Sequence, residues 1–432
     1  MPGIIALYPF GLGRENWKIA RFVYYGLMAL QHRGQETASL AVLGRGGMRV
    51  LEATGPAEEA FELDDLSGLD GFIALGRVSP LPRDSLASSS SPIELVVAGD
   101  GCPELDGERD WRAFAEVLSD EMSRVGDPLR ASVNVIERAR GGYSFVAITA
   151  EQIMLAGRDP RGIKPLEVGS LGFDIGAVAS ESCALDVLGM EHAGSVKPGE
   201  VLKLDPYSIE RARARPRGSD PPSLCSFELV YLARHDSVVD GIDVYAVREK
   251  IGARLAREAP AEADVVIGVP ETATPFALGY AKASGTPASL GFVTTGRRLR
   301  TALKPSALER LIGVQLKLNP IRCAVEGRDV VLIDDSVVRG TTLRNTVWNL
   351  KRRGARRVHV RIGSPPLRSP CPYDPGSTEP DELIARSLSP SEIAEVVGAD
   401  SLAFISEEGL AESAGLPTHR LCMLCWRAGE AR

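Results

Sequence analysis

Long hydrophobic runs are absent from this 432-residue sequence. No stretch approaches the roughly 18 apolar residues that a membrane-spanning helix needs, so no membrane partner is expected. The N-terminus has no basic region followed by an apolar core, so no secretion signal is expected and a cytoplasmic location is predicted. Apolar residues make up 44% and charged residues 25% of the chain, which is typical of a soluble globular protein long enough for two domains.

An excess of positive charge is also missing. The formal net charge is −7, which argues against nucleic acid as a partner. Basic residues cluster at 211–217, 297–300 and 351–357, but a solvated surface explains the first cluster and a helix C-terminus explains the last. Asn and Gln together number only nine, as in proteins of thermophiles or of genomes with a biased composition.

The first half of the chain alternates short apolar runs with turns. Eight runs read as strands: GIIALYP, TASLAVLG, MRVLEATG, GFIALGRVS, IELVVAGD, YSFVAITA, IMLAGRD and FDIGAVAS. Helical spacing occurs at 17–31 and 110–125. Many strands and few helices predict an α+β domain over residues 1–207.

The pattern changes after a basic, Pro-rich segment at 208–224, which predicts a linker. Beyond it, ADVVIGVP (263–270), DVVLIDDS (329–336) and RVHVRIGSPP (357–366) are apolar strands that alternate with helical segments. This alternation predicts an α/β domain with a parallel, doubly wound sheet over 225–432.

The segment VVLIDDSVVRGTT (330–342) has the strongest functional pattern. A strand ends in two carboxylates, Asp334 and Asp335, where parallel sheets bind their ligands. Backbone N–H groups at the following helix start, with the hydroxyls of Thr341 and Thr342, can hold a phosphate. The carboxylates can accept bonds from two sugar hydroxyls or hold hydrated Mg²⁺. The alternative is an acidic strand end that merely caps a helix.

The loop resembles the signature of type I phosphoribosyltransferases, which use 5-phosphoribosyl pyrophosphate (PRPP). A second strand end, VIGVPETATPFALGY (266–280), fits the same fold, in which such a turn can hold pyrophosphate and metal. By itself this second segment is weak, because any strand, turn and helix gives the same pattern.

Longer motifs extend the resemblance over nearly the whole chain. They are YYGLMALQHRGQE, GGYSFVAI, RDPRGIKPL, VASESCALDVLG, CSFELVYLARHDS, VPETA, VVLIDDSVVRGTT, RIGSPPLRSPC and LCMLC. Together they resemble the amidophosphoribosyltransferases of purine synthesis. The resemblance implies an N-terminal-nucleophile glutaminase domain of αββα layers, which releases ammonia, and a phosphoribosyltransferase domain, where ammonia displaces pyrophosphate from PRPP.

Site residues follow from the same resemblance. Asp334 and Asp335 are expected to bind the ribose hydroxyls and Mg²⁺, and Thr272 is expected at the pyrophosphate and metal site. The predicted phosphate loop consists of Ser336, Val337, Val338, Arg339, Gly340, Thr341 and Thr342. A further loop at 295–309 is expected to close over PRPP and keep water from the reacting carbon, although it lacks the usual Tyr and Gly.

Four of the seven cysteines stand in family motifs. One branch of the family holds a [4Fe–4S] cluster with four such residues, and here they are Cys225, Cys371, Cys422 and Cys425. Four thiolates also suit Zn²⁺, and free thiols are the third possibility. The remaining three cysteines are expected to be packed or free, because a chain without a secretion signal does not suggest disulfides.

The glutaminase nucleophile of the family is a cysteine at the extreme N-terminus, and here Pro2 stands in its place. Proline has no thiol to form the thioester intermediate.

Two other positions of the glutaminase site also differ from the family. The arginine that holds the glutamine carboxylate falls on Ser79, with Arg77 nearby as a substitute, and the Asn of the oxyanion segment falls on Asp100. A carboxylate there disfavours a developing oxyanion. The segment 32–36 is predicted to survive as scaffold, and the domain is predicted to be inactive as a glutaminase.

These observations predict an enzyme that makes 5-phosphoribosylamine from PRPP and ammonia, with Mg²⁺ and an iron–sulfur cluster. A separate ammonia-donating protein is a possible partner, and a homo-oligomer is expected. Two alternatives stay open: a non-catalytic sensor of PRPP or nucleotide, and a phosphoribosyltransferase with another acceptor.

Overall fold

The computed structural model describes residues 1–11, 13–14, 17–69, 71–215, 221–294, 318–374 and 378–428. The predicted PRPP-closing loop at 295–309 lies outside these residues. Among them, no helix is long and apolar enough to cross a membrane.

The first half contains two antiparallel sheets. Its strands are Gly3–Pro9 (β1), Thr37–Gly44 (β2), Gly47–Thr54 (β3), Ile73–Ser79 (β4), Ala87–Ser89 (β5), Leu95–Glu104 (β6), Arg140–Thr149 (β7), Met154–Arg158 (β8), Glu167–Leu171 (β9), Ile175–Ala179 (β10), Glu191–Ser195 (β11), Glu200–Leu204 (β12) and Ile209–Arg213 (β13). Its helices are Ile19–Ala29 (α1), Ala57–Ala60 (α2), Leu63–Ser67 (α3), Trp111–Val125 (α4), Pro128–Arg138 (α5) and Ser182–Val187 (α6). The sheet orders are β11-β9-β10-β1-β4-β2-β3 and β13-β12-β8-β7-β6-β5.

Alternating side chains of β1 show how these sheets stack. Ile5 and Leu7 pack with the apolar face of α1, whereas Ile4 and Tyr8 pack between the two sheets. On the far side of the second sheet, Phe145 of β7 lies in a cluster with α4 and α5. Both sides of the central strands are therefore buried, which explains their continuously apolar sequences. The layers are helix, sheet, sheet and helix.

The strands of the second half are Leu224–Cys225 (β14), Val238–Val239 (β15), Ile242–Asp243 (β16), Val265–Gly268 (β17), Phe292–Val293 (β18), Asn319–Pro320 (β19), Asp329–Asp334 (β20), Arg357–Ile362 (β21), Ser401–Phe404 (β22) and Leu421–Cys422 (β23). Four of them form one parallel sheet of order β17-β20-β21-β22, around which this half is built. Its helices are Val244–Glu258 (α7), Thr274–Ser284 (α8), Arg322–Val325 (α9), Thr341–Arg352 (α10), Ile384–Ser387 (α11), Pro390–Val397 (α12) and Glu407–Ala414 (α13).

The segment predicted as a linker, 208–224, differs from that expectation in its first residues. Ile209–Arg213 forms β13, which pairs with β12 at the edge of the second sheet. Its alternating charged side chains look like a linker in sequence, because an edge strand with exposed faces needs little apolar surface.

Candidate active site

The predicted phosphate loop lies at the carboxyl end of β20. Asp334 and Asp335 are buried, with 9% and 6% of their surface exposed. The Ser336 hydroxyl donates to Asp335 at 2.6 Å, and the Asp335 amide donates to Asp334 at 3.0 Å. Gly340 then takes a left-handed conformation with φ of 72°, which a glycine adopts without strain, and α10 begins at the next residue.

Burial of two adjacent carboxylates shapes the electrostatics of this loop. Burial first, and then repulsion from Asp335, raise the pKa of Asp334 well above its ordinary value. Burial also raises the pKa of Asp335, although hydrogen bonds from Ser336 and Thr272 and the charge of Arg248 oppose the rise. Thr272 therefore stands beside the Asp335 carboxylate. A divalent cation would relieve the repulsion between the two groups.

One cavity of about 920 Å³ joins the three features that the sequence singles out. The whole predicted phosphate loop, from Asp334 to Thr342, lines it. Met1, Pro80 and Leu81 line it from the first half of the chain, and Lys164 lines it beside them. The four cysteines of the predicted cluster site also border it. The N-terminus, the thiols and the phosphate loop thus border the same cavity.

The four cysteines come together from distant parts of the chain. Cys225 and Cys422 are direct partners in the parallel pair of β14 and β23. The amides of Arg368 and Ser369 donate to the carbonyl of Cys425 at 2.9 and 3.0 Å, which fixes the chain that leads to Cys371. All four are free thiols.

Burial raises the pKa of each of these thiols, for Cys371 to about 11. Repulsion among the thiolates adds to the rise, most clearly at Cys425. Within the part of the chain that the structure describes, no group of three or more His, Cys, Asp or Glu side chains could hold a metal ion. The thiols border a common cavity without converging on a single-ion site. Of the other cysteines, Cys102 and Cys183 are buried and Cys323 is exposed.

A buried network of charged side chains centred on Arg33 lies beside Pro2, the residue at the expected position of the glutaminase nucleophile. All five of its N–H donors are used. Nε donates to the carbonyl of Pro2 (2.8 Å), Nη1 to Glu181 (2.7 Å) and Glu228 (2.8 Å), and Nη2 to Asp100 and Glu228 (both 2.9 Å). None of the four charged side chains is exposed to solvent. Arg33 thereby ties the start of β1 to a carboxylate of the second half.

Asp100 is held as a carboxylate within this network. Burial favours its neutral form, but Lys164 and Arg33 outweigh that effect and lower its pKa. The Lys164 amine lies 3.8 Å from the second carboxylate oxygen of Asp100. The position expected to supply an amide donor to an oxyanion therefore carries a negative charge instead.

Ser79, at the position of the family arginine, and Arg77, its nearby substitute, both bond to the chain around them. The Ser79 side chain is fully buried and donates to Asp84. Arg77 donates to the carbonyls of Gly99 (3.0 Å), Asp84 (2.6 Å) and Ser85 (3.1 Å) and to the Asp84 carboxylate (2.8 Å). The guanidinium of Arg77 is thus committed to the chain around it, and this weakens the expectation that it replaces the family arginine.

The sequence places Arg33 in a segment predicted to be scaffold and gives no role to Lys164 and Glu228, although each lies in a quoted motif. A signal was present for Glu228, which is a single charge in the otherwise apolar run SFELVYL. A charge in such a run predicts a buried partner. The identity of that partner could not be read from the sequence, because Arg33 lies 195 residues away.

Comparison with known proteins agrees with this geometry. No family model matches the chain. The amidophosphoribosyltransferase of Methanothermobacter thermautotrophicus is 37% identical over 449 residues, covering 98% of this chain and 93% of the relative. That of Methanocaldococcus jannaschii is 35% identical over 461 residues, covering 98% and 96%. The solved glutamine PRPP amidotransferase of Bacillus subtilis, complexed with ADP and GMP, superposes with a TM-score of 0.87 at 34% identity, covering 100% of this chain and 98% of that one.

Fold and site together define a transferase with an N-terminal-nucleophile-type αββα domain and a type I phosphoribosyltransferase domain. The expected fold class is confirmed. At this identity and coverage, the chain belongs to the amidophosphoribosyltransferase family, the PRPP amidotransferases of purine biosynthesis.

Proposed function

We propose that this family member makes 5-phosphoribosylamine from PRPP and free ammonia, and that its N-terminal domain does not hydrolyse glutamine. The observation that carries the proposal is the contrast between its two sites. The phosphate loop is complete and lines the cavity. At the other site Pro2 directly precedes β1, its carbonyl accepts a bond from Arg33, and Arg33 also donates to the Asp100 carboxylate.

The phosphoribosyltransferase chemistry would need Mg²⁺ to stabilise the departing pyrophosphate. Asp334, Asp335 and Thr272 are the residues proposed to hold it, since they adjoin one another at the strand end. Residues 336–342 are proposed to bind the 5-phosphate through the N-terminus of α10. Ammonia would then need only to be placed against the anomeric carbon.

Residues 1–207 are proposed as the N-terminal domain and 225–432 as the transferase domain, joined through 208–224.

Bonds made by His32 and Glu181 of the N-terminal domain support a scaffold role for it. His32 and Glu181 lie 2.8 Å apart, and Glu181 also accepts bonds from the Arg234 amide (2.8 Å) and the Ser237 hydroxyl (2.7 Å). The bonds from Arg234 and Ser237 cross between the halves, so the domain is held against the transferase half whether or not it supplies ammonia. A separate ammonia-donating protein and a homo-oligomer remain part of the proposal.

Pyrophosphate release from PRPP tests this function. We expect release in the presence of ammonium and Mg²⁺, and little release from PRPP alone. A panel of nucleobases in place of ammonium separates the proposed acceptor from another one. Binding of PRPP with no release in the presence of any acceptor would make the protein a sensor instead.

We further propose that Cys225, Cys371, Cys422 and Cys425 hold a [4Fe–4S] cluster. Support comes from four free thiols around one cavity, of which Cys225 is buried and the other three are half-buried. Four thiolates suit either a cluster or zinc, and the cluster is proposed over zinc because the four cysteines stand in the motifs that carry the family resemblance.

Metal analysis of anaerobically purified protein is the corresponding test. We expect about four iron and four sulfide per chain and a brown colour. The variant Cys422→Ser should lose most of the iron, because it removes a ligand, whereas Cys323→Ser, at an exposed thiol, should keep it. Stoichiometric zinc without iron would contradict the cluster.

A further inference from the structure

One oxygen of the Asp100 carboxylate has no hydrogen-bond donor. The side chain has no exposed surface, and Arg33 donates to its Oδ2 atom at 2.9 Å. The other oxygen, Oδ1, is also buried and accepts no hydrogen bond within the part of the chain that the structure describes. Leaving a buried, charged acceptor unbonded is costly, so this atom is a binding position for a small donor.

A lysine amine stands opposite this oxygen. Lys164 has no exposed side-chain surface, and its Nζ atom lies 3.8 Å from Oδ1 of Asp100. That distance is too long for a hydrogen bond, but short enough for one further atom to contact both groups. Lys164 also donates to the Met1 sulfur at 2.7 Å, which is a weak acceptor, and a protonated amine carries three donors. A donor and an acceptor thus face the same small space.

The backbone holds the two groups in place before any guest molecule binds. Asp100 and Ser144 are direct partners in the β6–β7 ladder, and the Ser144 hydroxyl donates to the carbonyl of Pro165, the residue after Lys164, at 3.3 Å. On the other side, the Asp159 carboxylate accepts bonds from the three successive amides that precede Lys164, at 2.9, 3.0 and 2.9 Å. A site fixed in this way loses little entropy when it binds a ligand.

This pair adjoins the cavity that contains the phosphate loop. Lys164 and Met1 line that cavity together with residues 334–342, whereas Asp100 contacts it only through Lys164. A molecule held between Lys164 and Asp100 would therefore lie in the cavity wall, on the side of the first half of the chain.

The paired donor and acceptor select the kind of molecule that fits. Ammonia has one lone pair and three N–H groups, so it can accept from Lys164 and donate to Asp100. Ammonium has no lone pair, and it would bring a second positive charge against the lysine amine. Water also accepts and donates, and is the competing occupant. The pair therefore prefers the neutral, nucleophilic form of the nitrogen donor over its protonated form.

We propose that Asp100 and Lys164 form a binding site for neutral ammonia in the wall of the cavity. This inference rests on the proposed function, in which free ammonia is a substrate. No bond is made or broken at the site, since its two side chains only raise the occupancy of ammonia beside the phosphate loop.

Substitutions at the two positions test the site through the dependence of pyrophosphate release on ammonium, at one fixed pH. In Asp100→Asn the side-chain oxygen is needed by Arg33, so the NH₂ group takes the place of Oδ1 and a donor replaces the acceptor. The ammonium concentration at half-maximal rate should rise about tenfold, while the maximal rate and the KM for PRPP stay within about twofold.

Lys164→Met should act in the same direction, because it removes the donor. The double variant should be no worse than the weaker of the two single variants, since either change breaks the bridge. Asp120→Asn and Lys197→Met are the matched controls at exposed positions of the same half. General loosening of the fold would change the KM for PRPP as well, so that constant separates damage from loss of the site.

Thermal unfolding detects binding without turnover. Ammonium chloride is compared with potassium chloride at equal concentration and pH, because potassium resembles ammonium in size and charge but has no N–H group. Ammonium should raise the melting temperature of the unmodified protein more than potassium does. Asp100→Asn should lose that difference, and Asp120→Asn should keep it.

The outcomes separate the site from the reaction. Stabilisation by ammonium that Asp100→Asn loses, without pyrophosphate release by the unmodified protein, would overturn the proposed function and keep the site. Turnover with ammonium, with Asp100→Asn matching Asp120→Asn in both measurements, would overturn the site and keep the function. Equal stabilisation by ammonium and potassium would mean that the pair holds water only, which also overturns the site.

Discussion

Replacing Asp334 and Asp335 together with asparagine is expected to lower pyrophosphate release from PRPP by roughly a thousandfold or more, a barrier increase of several kcal/mol. The reason is electrostatic. Both carboxylates are buried side by side at a strand end, where a divalent cation and the ribose hydroxyls would meet them. Asparagine keeps the shape but loses the charge that draws the cation.

The fold should survive this change. The pKa values of both groups are raised, so neutral side chains at these positions relieve repulsion and do not break an ion pair. Circular dichroism and thermal unfolding should therefore show a protein at least as stable as the original. The control is Asp120→Asn with Asp186→Asn, two exposed carboxylates of the first half, which should leave turnover unchanged. Unchanged binding of Mg²⁺-PRPP to the site variant would contradict the phosphate-loop assignment.

Arg33→Leu is expected to destabilise the protein by about 3–5 kcal/mol, because it leaves three buried carboxylates without their shared cation. Thermal unfolding should show the loss, and the contact between the halves should loosen first. Arg49→Leu is the control, since Arg49 lies on the partly exposed strand β3. Stability equal to that of the control would mean that the network does not hold the site together.

A double-mutant cycle isolates the contact that joins the two halves. Glu228→Gln alone should be costly, because Arg33 loses its two-bond partner at 2.8 and 2.9 Å. In the Arg33→Leu background the same change should cost much less, or stabilise, since it removes an unpaired charge. Additive effects would show that Arg33 and Glu228 do not act as a pair.

Local patterns predicted most of the first half. The runs at 3–9 and 37–44 match β1 and β2 residue for residue, because strands buried on both faces need uninterrupted apolar side chains. The helix α5 was missed, although its signals were present: Asp127 caps it and Pro128 opens it. The composition of 208–224 predicts a linker throughout, because the exposed edge strand at its start carries the composition of a loop.

The candidate site was predictable where its residues are neighbours in sequence. The carboxylates and the phosphate loop lie within 334–342 and could be read directly. The network around Arg33 could not, because its partners at 100, 181 and 228 meet only when two sheets and the second half pack together. The position of Lys164 beside Asp100, in the wall of the cavity, depends on the same packing.

Comparing glutamine with ammonium as nitrogen donor, in the unmodified protein freed of contaminating glutaminases, tests the central claim most directly. With PRPP and Mg²⁺ present, ammonium should support phosphoribosylamine synthesis. At a fixed total concentration the rate should rise with pH, because a larger share of the ammonium is present as ammonia. Glutamine should give neither glutamate nor phosphoribosylamine. Pro2→Cys alone should not change this, since Ser79 and Asp100 still occupy the positions that bind the glutamine carboxylate and the oxyanion in the family. Release of glutamate from glutamine by the unmodified protein would contradict the account.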